Sequence, residues 1–227
     1  DVIKNIESYD TTTVRASVGN YLVSKYISEK SDAKVIFNGD GSDELMGGYL
    51  YMQSAPDHFE FDKECKRLIN DIHYFDVLRS DRSVSTNGLE PRTPFLDVDF
   101  IKTYLNIPLD LRYAPDKQEK YLLREAFRDF LPSEIINRRK EAFSDGVSSL
   151  ENSWYSIISK HLANQKINDI EPTKHYNQFK FTNKEQHYYY SLFNEYFGDD
   201  TKIIDEYWMP KYVEASDSSA RTLKIYN

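Results

Sequence analysis

An α/β segment that gives way to a mainly helical region is the fold class the sequence predicts, on three observations. Apolar residues at helical spacing over 14–29 lead into a short apolar run at 34–37 and then into a glycine-rich acidic loop. Beyond residue 60, strand-like runs largely disappear and steps of three and four take over. No internal repeat or low-complexity tract interrupts this order.

Val14, Val18, Tyr21, Leu22 and Tyr26 form one face of the first helix, and Thr11, Thr12 and Thr13 are its N-cap candidates. Ser31 and Asp32 break that pattern, and Lys34–Phe37, β-branched and aromatic, reads as a buried strand. The loop from Asn38 to Gly48 then occupies the crevice beyond the strand's carboxyl end, where α/β sheets bind ligands.

Cys65, Leu68, Ile69, Ile72 and Phe75 predict a helix over 61–79, and 83–94 reads as turns. Asp97 caps a helix carrying Phe100, Ile101, Tyr104 and Leu105, which must end before Pro108. Residues 119–130 are helical in pattern, and Ser133 opens a further helix that runs into Arg138, Arg139 and Lys140. A loop follows over 141–146. The polar stretch 164–173 reads as a linker, and Tyr189, Leu192, Phe193, Tyr196 and Phe197 predict a buried face on a helix over 176–197. The chain is expected to divide near residue 60, with 1–60 part of an α/β core and 61–227 mainly helical.

Composition narrows the function. The 227 residues carry 29 basic and 37 acidic side chains, a net charge of −8, which argues against a surface built for nucleic acid. One cysteine, Cys65, excludes an internal disulfide framework and reads as a small buried residue in a reducing compartment. No apolar run approaches a membrane span and no signal-like start is present, so a cytoplasmic protein is expected. His58, His73, His161, His175 and His187 lack metal-ligand spacing.

Three constellations could carry chemistry. Asp40, Asp43 and Glu44 crowd three carboxylates among glycines, and such density repels unless Mg²⁺, a lysine or an amine arrives. The same stretch also reads as a solvated turn between strand and helix. Lys140, ahead of Ser144-Asp145-Gly146, is suited to charge growing on a phosphoryl group, or only complements a helix dipole. Arg92, between Pro91 and Pro94, presents a stiffly held guanidinium either to an anion or to Asp97 or Asp99.

Taken together, the segments resemble a known family. Phe37-Asn-Gly-Asp-Gly-Ser-Asp-Glu-Leu-Met-Gly-Gly-Tyr-Leu-Tyr51 is similar to the (L/F)-SGEGSDE-x-x-GGY-x-Y stretch of glutamine-hydrolysing asparagine synthetases. Residues 6–17, 94–97, 119–124 and 139–146 look like further blocks in the same order, and Trp208-Met-Pro with residues 215–223 is similar to the tail of its eukaryotic-type members.

The resemblance implies a partial Rossmann-like adenine-nucleotide hydrolase domain of ATP pyrophosphatase type, followed by a helical region. It implies a ligase that uses ATP and Mg²⁺ to form an aspartyl-adenylate, which ammonia from glutamine converts to asparagine. By position, Asn38 and Gly39 would lie at the ATP site and Asp40 at the acidic position tied to the adenylate. Asp43 and Glu44 would face Mg²⁺–pyrophosphate or the amine, and Lys140 would neutralise pyrophosphate. A homodimer is a further expectation.

Asn38 stands where the motif has Ser, and Asp40, one methylene shorter, where it has Glu. No SGGLDS-type pyrophosphate loop and no amino-terminal catalytic cysteine occur in these residues, and the first residue is Asp1. The chain is therefore expected to be the later part of a longer synthetase, binding ATP poorly on its own and synthesising nothing. Two other readings follow from the same residues: a catalytically inactive synthetase-like binding module, and a related adenylating ligase such as a β-lactam synthetase.

Overall fold

The computed structural model describes residues 1–146, 152–164, 181–198, 203–204, 207–215 and 217–218. Helix α1 (Val2–Ile6) leads into α2 (Thr11–Lys30). The cap of α2 is Asp10 rather than one of the threonines: its carboxylate accepts from the Thr13 amide and hydroxyl, both at 2.7 Å. An anionic acceptor suits the positive end of a helix better than a neutral hydroxyl. The first half of α2 is buried, but Leu22 (57% exposed) and Tyr26 (65% exposed) face outward, so the expected apolar face is only half covered.

Strand β1 (Val35–Phe37) pairs in parallel with β2 (Glu90–Arg92), Val35 opposite Glu90 and Phe37 opposite Arg92. Between them run α3 (Ser42–Met46), α4 (His58–Asp71) and α5 (Asp76–Ser85). The segment is therefore α/β, with a small parallel sheet in a helix-rich molecule. Two sequence expectations change here. β1 is not buried, since Phe37 is 77% exposed; with one neighbouring strand among the described residues, its apolar side chains have little to pack on. The stretch 83–94 is not all turn: α5 continues through Ser85, and Pro91 sits in a strand whose ladder bonds Glu90 N–H to Lys34 O (2.8 Å) and Asn38 N–H to Arg92 O (2.9 Å) bypass its missing donor.

The helix expected over 61–79 is interrupted, α4 giving way to a 3₁₀ turn at Ile72–Tyr74 before α5 begins. Helix α6 (Val98–Leu105) starts as expected, with Asp97 accepting from the amides of Asp99 and Phe100 at 3.0 Å. After α7 (Leu109–Arg112), the pattern over 119–130 yields only α8 (Tyr121–Ala126), because Lys120 takes a left-handed φ of 56° and Phe127 leaves helical geometry. Helix α9 (Ser133–Ile136) has no side-chain cap and stops short of Arg138–Lys140. A short α10 (Phe143–Gly146) forms where a loop was expected, followed by α11 (Trp154–Ala163) and α12 (Lys184–Phe197). Most of the expected 164–173 linker, and residues 176–180 of the last helix, lie outside the described residues.

Three apolar clusters hold these elements. Ile3, Ile6, Tyr9 and Val14 meet Tyr189, Tyr190 and Phe193 of α12; Tyr51, Met52, Phe61 and Leu68 surround Cys65; Leu45 and Met46 of α3 pack on Tyr104. Cys65 is fully buried, and burial pushes its thiol up to about 12, so it is an inert packing residue.

Candidate functional site

The loop after β1 and helix α3 forms the floor of a cleft of about 420 Å³. Its walls come from the start of α2, the amino-terminal part of α5, Lys120, the Arg138–Ser144 segment and Trp208. Asn38, Gly39, Asp40, Asp43, Glu44 and Lys140, 102 residues apart at the extremes of sequence, all face this one space.

The loop's turn chemistry aims its carboxylates. Gly41 takes φ +90°, where a Cβ would come within 2.3 Å of Leu96, so only glycine lets the chain turn from strand into α3. At Gly48 an added Cβ would stand 1.9 Å from Asp43 Oδ1. Asp43 meets two lysines. Lys120 reaches its Oδ1 at 2.8 Å, and Lys140 donates to its Oδ2. Burial would lift the Asp43 carboxyl, but Lys140 and Lys120 outweigh it and hold it below the ordinary carboxylate value.

Glu44, next in sequence, is in the opposite state. Burial, reinforced by Asp76 and Asp43, lifts its carboxyl well above the usual value although Tyr49 donates a hydrogen bond to it. The Tyr49 ring stacks on Tyr51 at 5.9 Å, contacts Trp208 at 5.8 Å and lies 5.4 Å below the Lys140 ammonium. One side of the cleft is thus an aromatic wall carrying a carboxyl whose proton affinity is raised by burial.

Asp40 is mostly buried, and desolvation raises its carboxyl against the pull of Arg79, whose Nη2 lies 3.6 Å from Oδ1. Its Oδ2 has no hydrogen-bond partner. Gly39, by contrast, faces open space, with nothing within 4 Å of where a Cβ would be.

Arg92 lies apart from this arrangement. It sits on β2, exposed, with its Nε on Glu90 Oε1 at 2.6 Å, and neither Asp97 nor Asp99 holds it. Asn20, Tyr49, Asp76, Arg79 and Lys120 are cleft residues that the sequence did not single out. Tyr49 and Lys120 fall inside motif blocks quoted above, and Asp76 and Arg79 form an i, i+3 acid–base pair, so signals existed for four of the five. Among the described residues no group of three or more His, Cys, Asp or Glu side chains gathers as a metal site.

Comparison with known proteins fits this geometry to a family. The asparagine synthase family profile matches residues 1–61 and 53–202. Over 231 aligned residues the whole chain is 47% identical to asparagine synthetase [glutamine-hydrolyzing] of Gallus gallus, 46% to that of Rattus norvegicus and 45% to that of Homo sapiens. In each case it spans 41% of the relative's length. No helix among the described residues is long and apolar enough to cross a membrane. On the family profile and full-chain identity together, the chain belongs to the asparagine synthase family.

Proposed function

We propose that this chain supplies part of the synthetase site of an asparagine synthetase, a Rossmann-like ATP pyrophosphatase-type region in which the aspartate side chain is adenylated and then amidated with ammonia drawn from glutamine. The observation that carries this reading is the pairing of Lys120 and Lys140 on Asp43, within one cleft shared with Asp40.

Forming an acyl-adenylate asks little covalent chemistry of the protein. The carboxylate of aspartate attacks the α-phosphorus, the bond to the bridging oxygen breaks, and pyrophosphate leaves with the charge, so orientation and countercharge decide the rate. Lys140 and Lys120 supply that countercharge. They are held ready by Asp43, which would share them with the departing pyrophosphate. The open face at Gly39 leaves room for a nucleotide to approach the backbone beside Asn38.

Asp40, with a buried oxygen that lacks a hydrogen-bond partner, is an acceptor in this space for the cationic end of the incoming groups. Glu44 accepts a hydrogen bond from Tyr49 at the floor, and burial raises its proton affinity, so in its carboxylate form it can pair with ammonium or accept a proton from the amine. With Asp43 already occupied by two ammonium groups, these residues suit Mg²⁺ only as the ion that arrives on the phosphates of ATP, met by one or two carboxylates, where it adds charge neutralisation.

The test is a chimera in which this chain replaces the aligned segment of the Gallus gallus relative. Asparagine formation dependent on ATP and aspartate is expected. Lys140→Ala should reduce it about 100-fold or more, the usual loss when a charge-stabilising donor is removed, and Asp40→Ala should abolish it. A chimera that makes asparagine equally well with Lys140→Ala overturns the reading. One that folds and binds its partners but forms no product identifies a binding module instead.

A further inference from the structure

We propose that Arg79 and Asn38 are positioning residues that clamp Asp40 from two sides, Arg79 through its charge and Asn38 through the loop backbone. The inference rests on the reading of Asp40 given above and adds to it the device that fixes this carboxylate.

Arg79 is itself immobilised. Its Nε and Nη2 donate to Asp76 Oδ1 at 3.1 and 2.5 Å, and its Nη1 donates to Asn20 Oδ1 on α2 at 2.7 Å. A guanidinium tied to two elements in this way has no freedom to follow Asp40, so it defines where the carboxylate finds its countercharge. The second hold is through the loop. Asn38 accepts the Asp40 amide on Oδ1 at 3.2 Å and donates from Nδ2 to Ser80 Oγ at 2.6 Å, tying the strand end to α5 one residue beyond Arg79. Charged and polar groups facing Asp40 are Arg79, Asp76 and Ser80 from α5 and Asp43 from α3.

Two departures from the family motif meet here. Where the motif reads Ser-Gly-Glu, this chain reads Asn38-Gly39-Asp40. A serine hydroxyl is too short to take the residue-40 amide and reach Ser80 at once, whereas an amide, with acceptor and donor on separate atoms, does both. The loop is thereby drawn onto α5 at the one position where the acidic side chain has lost a methylene.

The experiment uses the 227-residue chain with carboxyl-¹³C aspartate, the Asp40 signal being assigned with Asp40→Asn. Removing the guanidinium in Arg79→Gln should raise the Asp40 titration midpoint by about 1–3 pH units, the effect of a lost neighbouring cation. Arg79→Lys should restore most of the wild-type midpoint. Asn38→Ser should speed hydrogen exchange of the Asp40 amide about ten-fold while Arg79 keeps the midpoint near wild type. An unmoved midpoint in Arg79→Gln overturns the proposal, and so does unchanged exchange in Asn38→Ser. If Arg79→Gln fails to fold, Asn20→Ala, which frees the guanidinium, replaces it with a shifted Asp40 midpoint expected, and Ser80→Ala should speed Asp40 amide exchange; no change in either overturns the clamp. Binding of ATP and of pyrophosphate is measured in parallel on the Gallus gallus chimera described above. Its absence there counts against the nucleotide reading and leaves the clamp standing.

Discussion

Two clusters of charge, one enclosing a single arginine and one lining the cleft, use the same residue types for opposite ends. In the first, Arg15 on α2 donates to both carboxylate oxygens of Glu185 at 2.9 and 2.6 Å and to both of Asp217 at 2.7 and 3.1 Å, with the Tyr155 ring 5.3 Å from its guanidinium carbon. All three charged residues are nine-tenths or more buried. In the second, four carboxylates (Asp40, Asp43, Glu44 and Asp76) share Arg79, Lys120 and Lys140, and Asp40 Oδ2 has no partner. A cluster with every oxygen satisfied joins distant parts of the chain. One left short of donors in an open cleft is ready for something that brings them.

The sharpest way to break this contrast is at Arg15. Arg15→Met strands two buried carboxylates and should cost about 3–5 kcal/mol of stability, read as a fall in the urea midpoint. Arg15 also lines the cleft, but the cation beside Asp40 is Arg79, so the Asp40 titration should survive wherever the variant still folds. Asp43→Asn is expected to cost less, about 1–3 kcal/mol, since Lys120 and Lys140 retain some contact with solvent. Because its folded carboxyl lies below the ordinary value, the stabilisation from Asp43 is fully present above about pH 4 and is lost as pH falls through the folded value. The gap between wild type and Asp43→Asn in urea denaturation should therefore close in acid.

Glu44→Gln should have the smallest effect and the opposite sign. The carboxyl of Glu44 titrates above its unfolded value, so wild-type stability falls as pH rises from about 4.3 toward the folded value. The glutamine variant escapes that loss and can still accept from Tyr49. Its melting temperature should match wild type at pH 4 and exceed it at pH 8. A variant that is less stable than wild type at both would mean that Glu44 acts as an ionised partner.

What could be read from the sequence divides along the same line. The acidic loop, Lys140 and the cap at Asp97 were legible because each is a local pattern with a local cause. Arg15 lay inside a quoted block, but nothing nearby announced Glu185, 170 residues away. Arg79 was hidden in a helix read only for its apolar face, and β2 was concealed by Pro91, a residue that ordinarily argues against a strand. Phe37 misled for a different reason. An apolar run signals burial only when enough neighbouring strands exist to bury it, and β1 has one among the described residues.

Position 48 has a consequence for anyone redesigning this loop. With Asp43 Oδ1 occupying the space a methyl group would need, even alanine there would displace the carboxylate that gathers both lysines. Redesign of this loop can vary acid length at 40 or 43, but position 48 has no room for a side chain.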